Sequence, residues 1–248
     1  MRVTSKLRQS GLVRALWSVA GYRSPISSFR KYREAIKDKH GLEIGGPSSI
    51  FRSRRLLPIY PLAFSVDQVN FSDSTIWGNG KPSEKQYIMD GVDLSEIPSS
   101  TYDFVLSSHS LEHIANPLKA LSEWSRVLKS EGFIVLVLPD PRFTFDHKRP
   151  LTTFKHLLDD LCREAGEDDL THLPEILSLH DLSRDPGAGS RENFEGRSRN
   201  NFQYRALHHH VFSDELMSEM VGFVGLKTIS ADTARPFHMI CLAQKIEA

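Results

Sequence analysis

The stretch from Tyr102 to Asp140 limits the possible folds more than any other part of the chain. It opens on a short apolar run, Asp103-Phe-Val-Leu-Ser107, too brief and too branched for a helix and suited to a strand. A polar stop, Ser107-Ser-His-Ser110, follows. Leu111, Ile114, Leu118, Leu121, Trp124, Val127 and Leu128 then recur at mostly three- and four-residue steps, the spacing of one helical face. Lys129 and Gly132 are placed to close that helix, the cation at the negative end of the dipole and the glycine as a left-handed cap. Phe133-Ile-Val-Leu-Val-Leu138 is apolar on both faces, as in an interior strand of a parallel sheet. Strand, helix and strand make a βαβ unit, right-handed by the usual rule. Its polar residues gather where the first strand ends, the edge at which open α/β sheets bind ligands.

Upstream, Leu42-Glu43-Ile44-Gly45-Gly46-Pro47-Ser48-Ser49 reads as a strand running into a glycine turn, where a bulky ligand can approach backbone that lacks a Cβ. Leu62-Ala-Phe-Ser-Val66 is a second strand closed by Asp67, an acid about 20 residues past the glycines, where Rossmann-type folds hold a ribose diol. Gln86-Tyr-Ile-Met-Asp90 is a third strand, followed by Asp93-Leu94-x-x-Ile97-Pro98.

The order Tyr102-Asp-x-Val105, Ser108-x-x-Leu-Glu-His113, Asn116-Pro, Ala120-Leu, Glu123-Trp, Arg126-Val-Leu-Lys129, Glu131-Gly-Phe133 and a strand ending at Pro139 resembles the second half of a class I S-adenosyl-L-methionine (SAM)-dependent methyltransferase of the small-molecule or glycan type. The likeness runs over residues 40–140 and loosely over the last strands. It implies an α/β fold, a doubly wound, mostly parallel seven-stranded Rossmann-like sheet with an antiparallel last strand. It also implies SAM as cofactor. Glu43, Gly45 and Gly46 would form the first cofactor turn, and Asp67 would hold the ribose. Asp93 and the Leu94 backbone would meet the adenine, and Ser108 and His109 the methyl end. Asp90 competes with Asp93 for the adenine, and spacing to Pro98 selects Asp93. Pro47 and Ser49 stand where the family carries its later glycines. The acceptor implied is a small molecule or glycan, with a hydroxyl oxygen receiving the methyl group. The alternative is a catalytically degenerate binding module that docks a partner through a basic arm, against which the acids at 43, 67 and 93 argue.

That arm is residues 1–40, with ten Lys/Arg against Glu34 and Asp38 in a chain whose net charge is zero. It reads as a transit peptide, a contact for an anionic surface, or a helical extension packed on the domain; no strong nucleic-acid signal accompanies it. Residues 41–248 are expected to form one methyltransferase domain with a cap inserted at about 141–210. Within the cap, residues 184–205 hold too little apolar content for a core and suggest a mobile lid. Cys162 and Cys241 form no disulfide framework, so a reducing, cytoplasmic compartment is expected.

His109-Ser-Leu-Glu112-His113 also fits an inverted zinc-hydrolase signature, but that chemistry needs both histidines on one helical face, and here the first ends a strand. His208-His-His210 likewise cannot share one ion if the three alternate along a strand, so no metal site is expected. His109, Asp140, Asp146, His147 and the 208–210 histidines remain candidates for a general base, and the sequence alone ranks none of them.

Overall fold

The computed structural model describes residues 24–73 and 85–246. The part of the basic arm before residue 24 lies outside these residues. Seven strands form one sheet: β1 (His40–Ile44), β2 (Ser65–Asn70), β3 (Gln86–Ile88), β4 (Tyr102–Ser108), β5 (Leu128–Pro139), β6 (Leu226–Ala234) and β7 (His238–Lys245). Their order is β3-β2-β1-β4-β5-β7-β6. Strands β1 to β5 pair parallel, while β7 runs antiparallel to both β5 and β6. The expected doubly wound, mostly parallel sheet is the one observed.

Alternation along the strands splits the core into two layers. Ile134, Leu136 and Leu138 of β5 face one cluster with Leu42, Val105, Trp124 and Met239. Val135 and Val137 face the other, with Phe104, Leu106, Ile240 and Leu242. Helices α2 (Pro117–Val127) and α7 (Asp214–Phe223) cover the first face. Helix α1 (Phe29–Ile36) and the segment Phe51–Leu62 cover the second. The charged segment before β1 is therefore packed rather than solvated along its whole surface: Tyr32 is fully buried and its hydroxyl donates to Asp232 of β6.

Two local readings are corrected. Leu111–His113 is a 3₁₀ turn, and α2 begins only at Pro117, capped by Asn116 Oδ1 accepting from the Lys119 N–H. At its other end α2 stops at Val127, and β5 starts at once, so Gly132 lies inside the strand. A Cβ there would sit 2.9 Å from the Lys129 carbonyl oxygen, which explains the glycine by close backbone approach rather than by a helix cap.

Between β5 and α7 the chain builds the cap. It contains α3 (Phe154–Cys162), α4 (Leu173–Leu179), α5 (Arg191–Arg199) and α6 (Asn201–Tyr204). The polar stretch 184–205 is folded, not loose. Phe194 and Ala188 are buried against Leu173, Ile176 and Leu207 in a small core of their own. No helix among the described residues is long and apolar enough to cross a membrane.

Candidate functional site

A cleft of about 530 Å³ opens at the carboxyl ends of β1, β2, β3 and β4, on the side where strand order reverses between β1 and β4. Its floor is the turn after β1. Gly45 has φ +78°, and a Cβ there would lie 2.1 Å from Ser110 Oγ. A Cβ on Gly46 would lie 2.3 Å from the Glu43 carboxylate. Both glycines are therefore required by geometry. Glu43 sits beneath the turn, fully buried, and accepts from the Ser48 N–H at 3.0 Å and the Tyr60 hydroxyl at 2.6 Å. Burial raises its pKa. Its contacts shape the loop rather than line the cleft.

The sequence-assigned residues divide. Gly45, Gly46, Ser108 and His109 line the cleft, whereas Asp67, Asp93 and Leu94 do not. Strand β2 runs three residues beyond Asp67, to Asn70, which sets Asp67 about 10 Å below the carboxyl edge of the sheet. Its carboxylate accepts from the Tyr102 hydroxyl at 2.8 Å. Asn70 takes the edge position, with Nδ2 donating to the Gly46 carbonyl at 2.9 Å. Asp93 is a turn acid, accepting from the Ser95 N–H. Leu94 is core, and its N–H already donates to Glu123 at 3.0 Å. The acid that the sheet side brings to the cleft is Asp90, beside Gly91.

Asp90 is also where the cap reaches the sheet. Arg205, past the end of α6, donates to Asp90 Oδ2 at 2.9 Å and pairs with Glu167 at 3.2 Å. Arg205, Glu167, Arg52 and Asn70 all line the cleft. Spacing along the chain carried no signal for them, because the cap residues meet the sheet only through tertiary packing.

Histidines dominate the other end. His109, with φ +52°, places Nδ1 3.4 Å from Glu112 Oε1, long for a hydrogen bond but close for an ion pair. Its Nε2 lies 2.8 Å from His238 Nδ1. Glu112 is buried, yet its pKa is lowered, because the His109 hydrogen bond and the nearby His109, His113 and His208 outweigh the upward push of burial, the largest single influence. His113 also lines the cleft and donates from Nδ1 to the Leu207 carbonyl. Of the other base candidates, Asp140 is held by Arg142 and His147 by Asp181. Asp146 is clamped between Arg149 and His208. None of these three lines the cleft.

Burial, helped by the neighbouring His208, pushes the His113 pKa down to about 4. Burial and His109 push His238 to about 4 as well. Both imidazoles stay neutral in the folded protein at pH values where an unfolded histidine, of ordinary pKa 6.5, takes a proton. Stability is thus expected to fall as pH drops from 6.5 toward 4, by at most about 3 kcal/mol for the half-buried His113. Thermal midpoints recorded between pH 7 and 5 check this, with His113→Asn expected to flatten the slope.

Residues 53–136 match the family model described as a methyltransferase domain. That match spans less than half of the chain and marks a methyltransferase domain over those residues. Among solved structures, a SAM-dependent methyltransferase from Mesorhizobium loti superposes with a TM-score of 0.52 at 12% identity, over 88% of this chain and 96% of that one. The PH0226 protein of Pyrococcus horikoshii gives 0.50 at 12% identity, over 96% and 93%. At these identities the likeness speaks for the fold of the methyltransferase domain. Comparison with curated protein sequences finds no match. The cleft fits SAM, the cofactor that the sequence resemblance implies. Two glycines that tolerate no Cβ, an acid at the edge of β3 and a polar side chain at the edge of β2 suit a methionyl, adenine and ribose moiety in turn. The volume lies in the range of small-molecule sites.

Proposed function

We propose that the chain methylates a hydroxyl oxygen of a small-molecule acceptor, of the sugar class, with His109 as general base. The observation that carries this reading is the His109 imidazole in the cleft at the end of β4, backed by the Glu112 carboxylate and paired with His238. A hydroxyl must lose its proton as it is methylated, and a positioned imidazole is the usual group for that task. A buried carboxylate behind it steadies the charged ring once the proton has moved.

In this proposal Gly45 and Gly46 cradle the methionyl part of SAM, Asn70 meets the ribose, and Asp90 with Gly91 meets the adenine. SAM supplies an electrophilic methyl group on a good leaving group. The protein's own work is alignment and exclusion of water. Arg205 and Glu167 close the cleft from the cap side. His109 takes the acceptor proton at Nε2, where the acceptor hydroxyl replaces His238 Nδ1, while Nδ1 stays toward Glu112.

The test is formation of S-adenosylhomocysteine from SAM with a panel of acceptors. Product is expected with free or nucleotide-linked sugars and not with matched amines or thiols. Turnover confined to amines or thiols would sink the hydroxyl assignment.

A further inference from the structure

A second group of imidazoles lies in the cap, outside the cleft. Helix α3 carries His156 and Asp160 one turn apart, so the two side chains leave the same face. His172 caps the start of α4, and His210 stands on the stretch that leads into α7. One ligand atom from each of His156, His172 and His210 lies within 4.8 Å of the other two. The Nε2 atoms of His156 and His172 are 3.0 Å apart. His156 Nε2 is 3.2 Å from Asp160 Oδ2, and His210 Nε2 is 3.7 Å from the same oxygen.

The group holds two buried polar atoms without partners. The Asp160 side chain is 2% exposed, and its Oδ2 accepts no hydrogen bond, while Oδ1 is taken by Arg163. His210 is 1% exposed; its Nε2 donates to the Ala115 carbonyl at 3.2 Å, and its Nδ1 has no partner. A buried carboxylate oxygen and a buried ring nitrogen left without partners are costly unless something else satisfies them.

We propose that His156, Asp160, His172 and His210 bind a divalent transition metal of the zinc class. An ion with bonds of about 2.0 Å sets tetrahedral ligands about 3.3 Å apart, close to the 3.0 and 3.2 Å that separate His156 Nε2 from His172 Nε2 and from Asp160 Oδ2; His210 would bind through Nδ1, the ring nitrogen without a partner. Three ring nitrogens and one carboxylate oxygen suit zinc, whereas calcium and magnesium take oxygen ligands. With four protein ligands the site is closed, which makes it structural rather than catalytic. None of the four residues lines the cleft. The ion would tie α3 to the start of α4 and to residue 210, pinning the cap to the base of α7. A second group, Glu112, His113 and His208, belongs to the cleft. There His109, the Leu207 carbonyl and Asp146 respectively engage its members.

The test uses the full chain without a histidine tag, purified in chelator-free buffer and incubated with one equivalent of zinc chloride. Elemental analysis after desalting is expected to find about one zinc per chain, as for other structural sites. The His156→Ala, His172→Ala double variant is expected to hold less than about a tenth of that, because two of four ligands are gone. Stripping the wild type with a chelator is expected to lower its thermal midpoint by about 5 °C or more. Cobalt chloride added to the stripped wild type reports the geometry without any variant, through the visible bands of a tetrahedral N/O site. Wild-type protein that retains no zinc after desalting and shows no tetrahedral cobalt spectrum would overturn the proposal, as would equal zinc retention in a folded double variant.

Discussion

Replacing His109 with asparagine is expected to lower kcat by about 10²- to 10⁴-fold, the range for loss of a general base. Binding of S-adenosylhomocysteine, followed by calorimetry, is expected to stay within about threefold, since a base acts on the acceptor proton and not on cofactor affinity. Glu112→Gln keeps His109 but removes the carboxylate 3.4 Å behind it. That variant is expected to lose roughly tenfold in kcat, by analogy with other groups that orient a catalytic imidazole. A His109 variant with wild-type turnover would move the base elsewhere. His113 is then next, as the other imidazole lining the cleft.

Asp90→Ala is expected to weaken SAM about 10- to 100-fold, the loss of a hydrogen bond to a charged group. Asp67→Ala is expected to leave SAM affinity unchanged and to cost about 1 kcal/mol of stability through its Tyr102 partner. The pair separates two acids that look alike in the sequence. Should Asp67→Ala, folded, lose SAM while Asp90→Ala keeps it, the ribose role returns to Asp67.

Local pattern sufficed for the sheet. The central βαβ unit depends on hydrophobic periodicity, which neighbouring residues carry, whereas the antiparallel last strand followed from the family resemblance. Local pattern failed where an element's end decides function. Asp67 follows an apolar run and so resembles a strand terminus, yet β2 continues through Gln68 and Val69 to Asn70. Three residues move the edge by one whole contact shell. The cap was harder still. Phe194 looks stranded in a polar stretch, because the residues that bury it, Leu173, Ile176 and Leu207, lie elsewhere in the sequence. The three consecutive histidines follow the same logic. His208 turns to Asp146, His209 to Asn201, and His210 toward Asp160, so three adjacent side chains serve three separate groups. Their adjacency said nothing about which partners the fold would bring.

Arg205 gives the domain a built-in order of events. It spans Asp90 on the sheet and Glu167 in the cap, so any ligand that engages Asp90 must share or displace that guanidinium. The energy of that exchange is common to both sides. Whatever a nucleoside group does to the seating of the cap, the cap must do in equal measure to the grip on the nucleoside group. An acceptor that settles against the cap would then change the affinity for SAM without touching it.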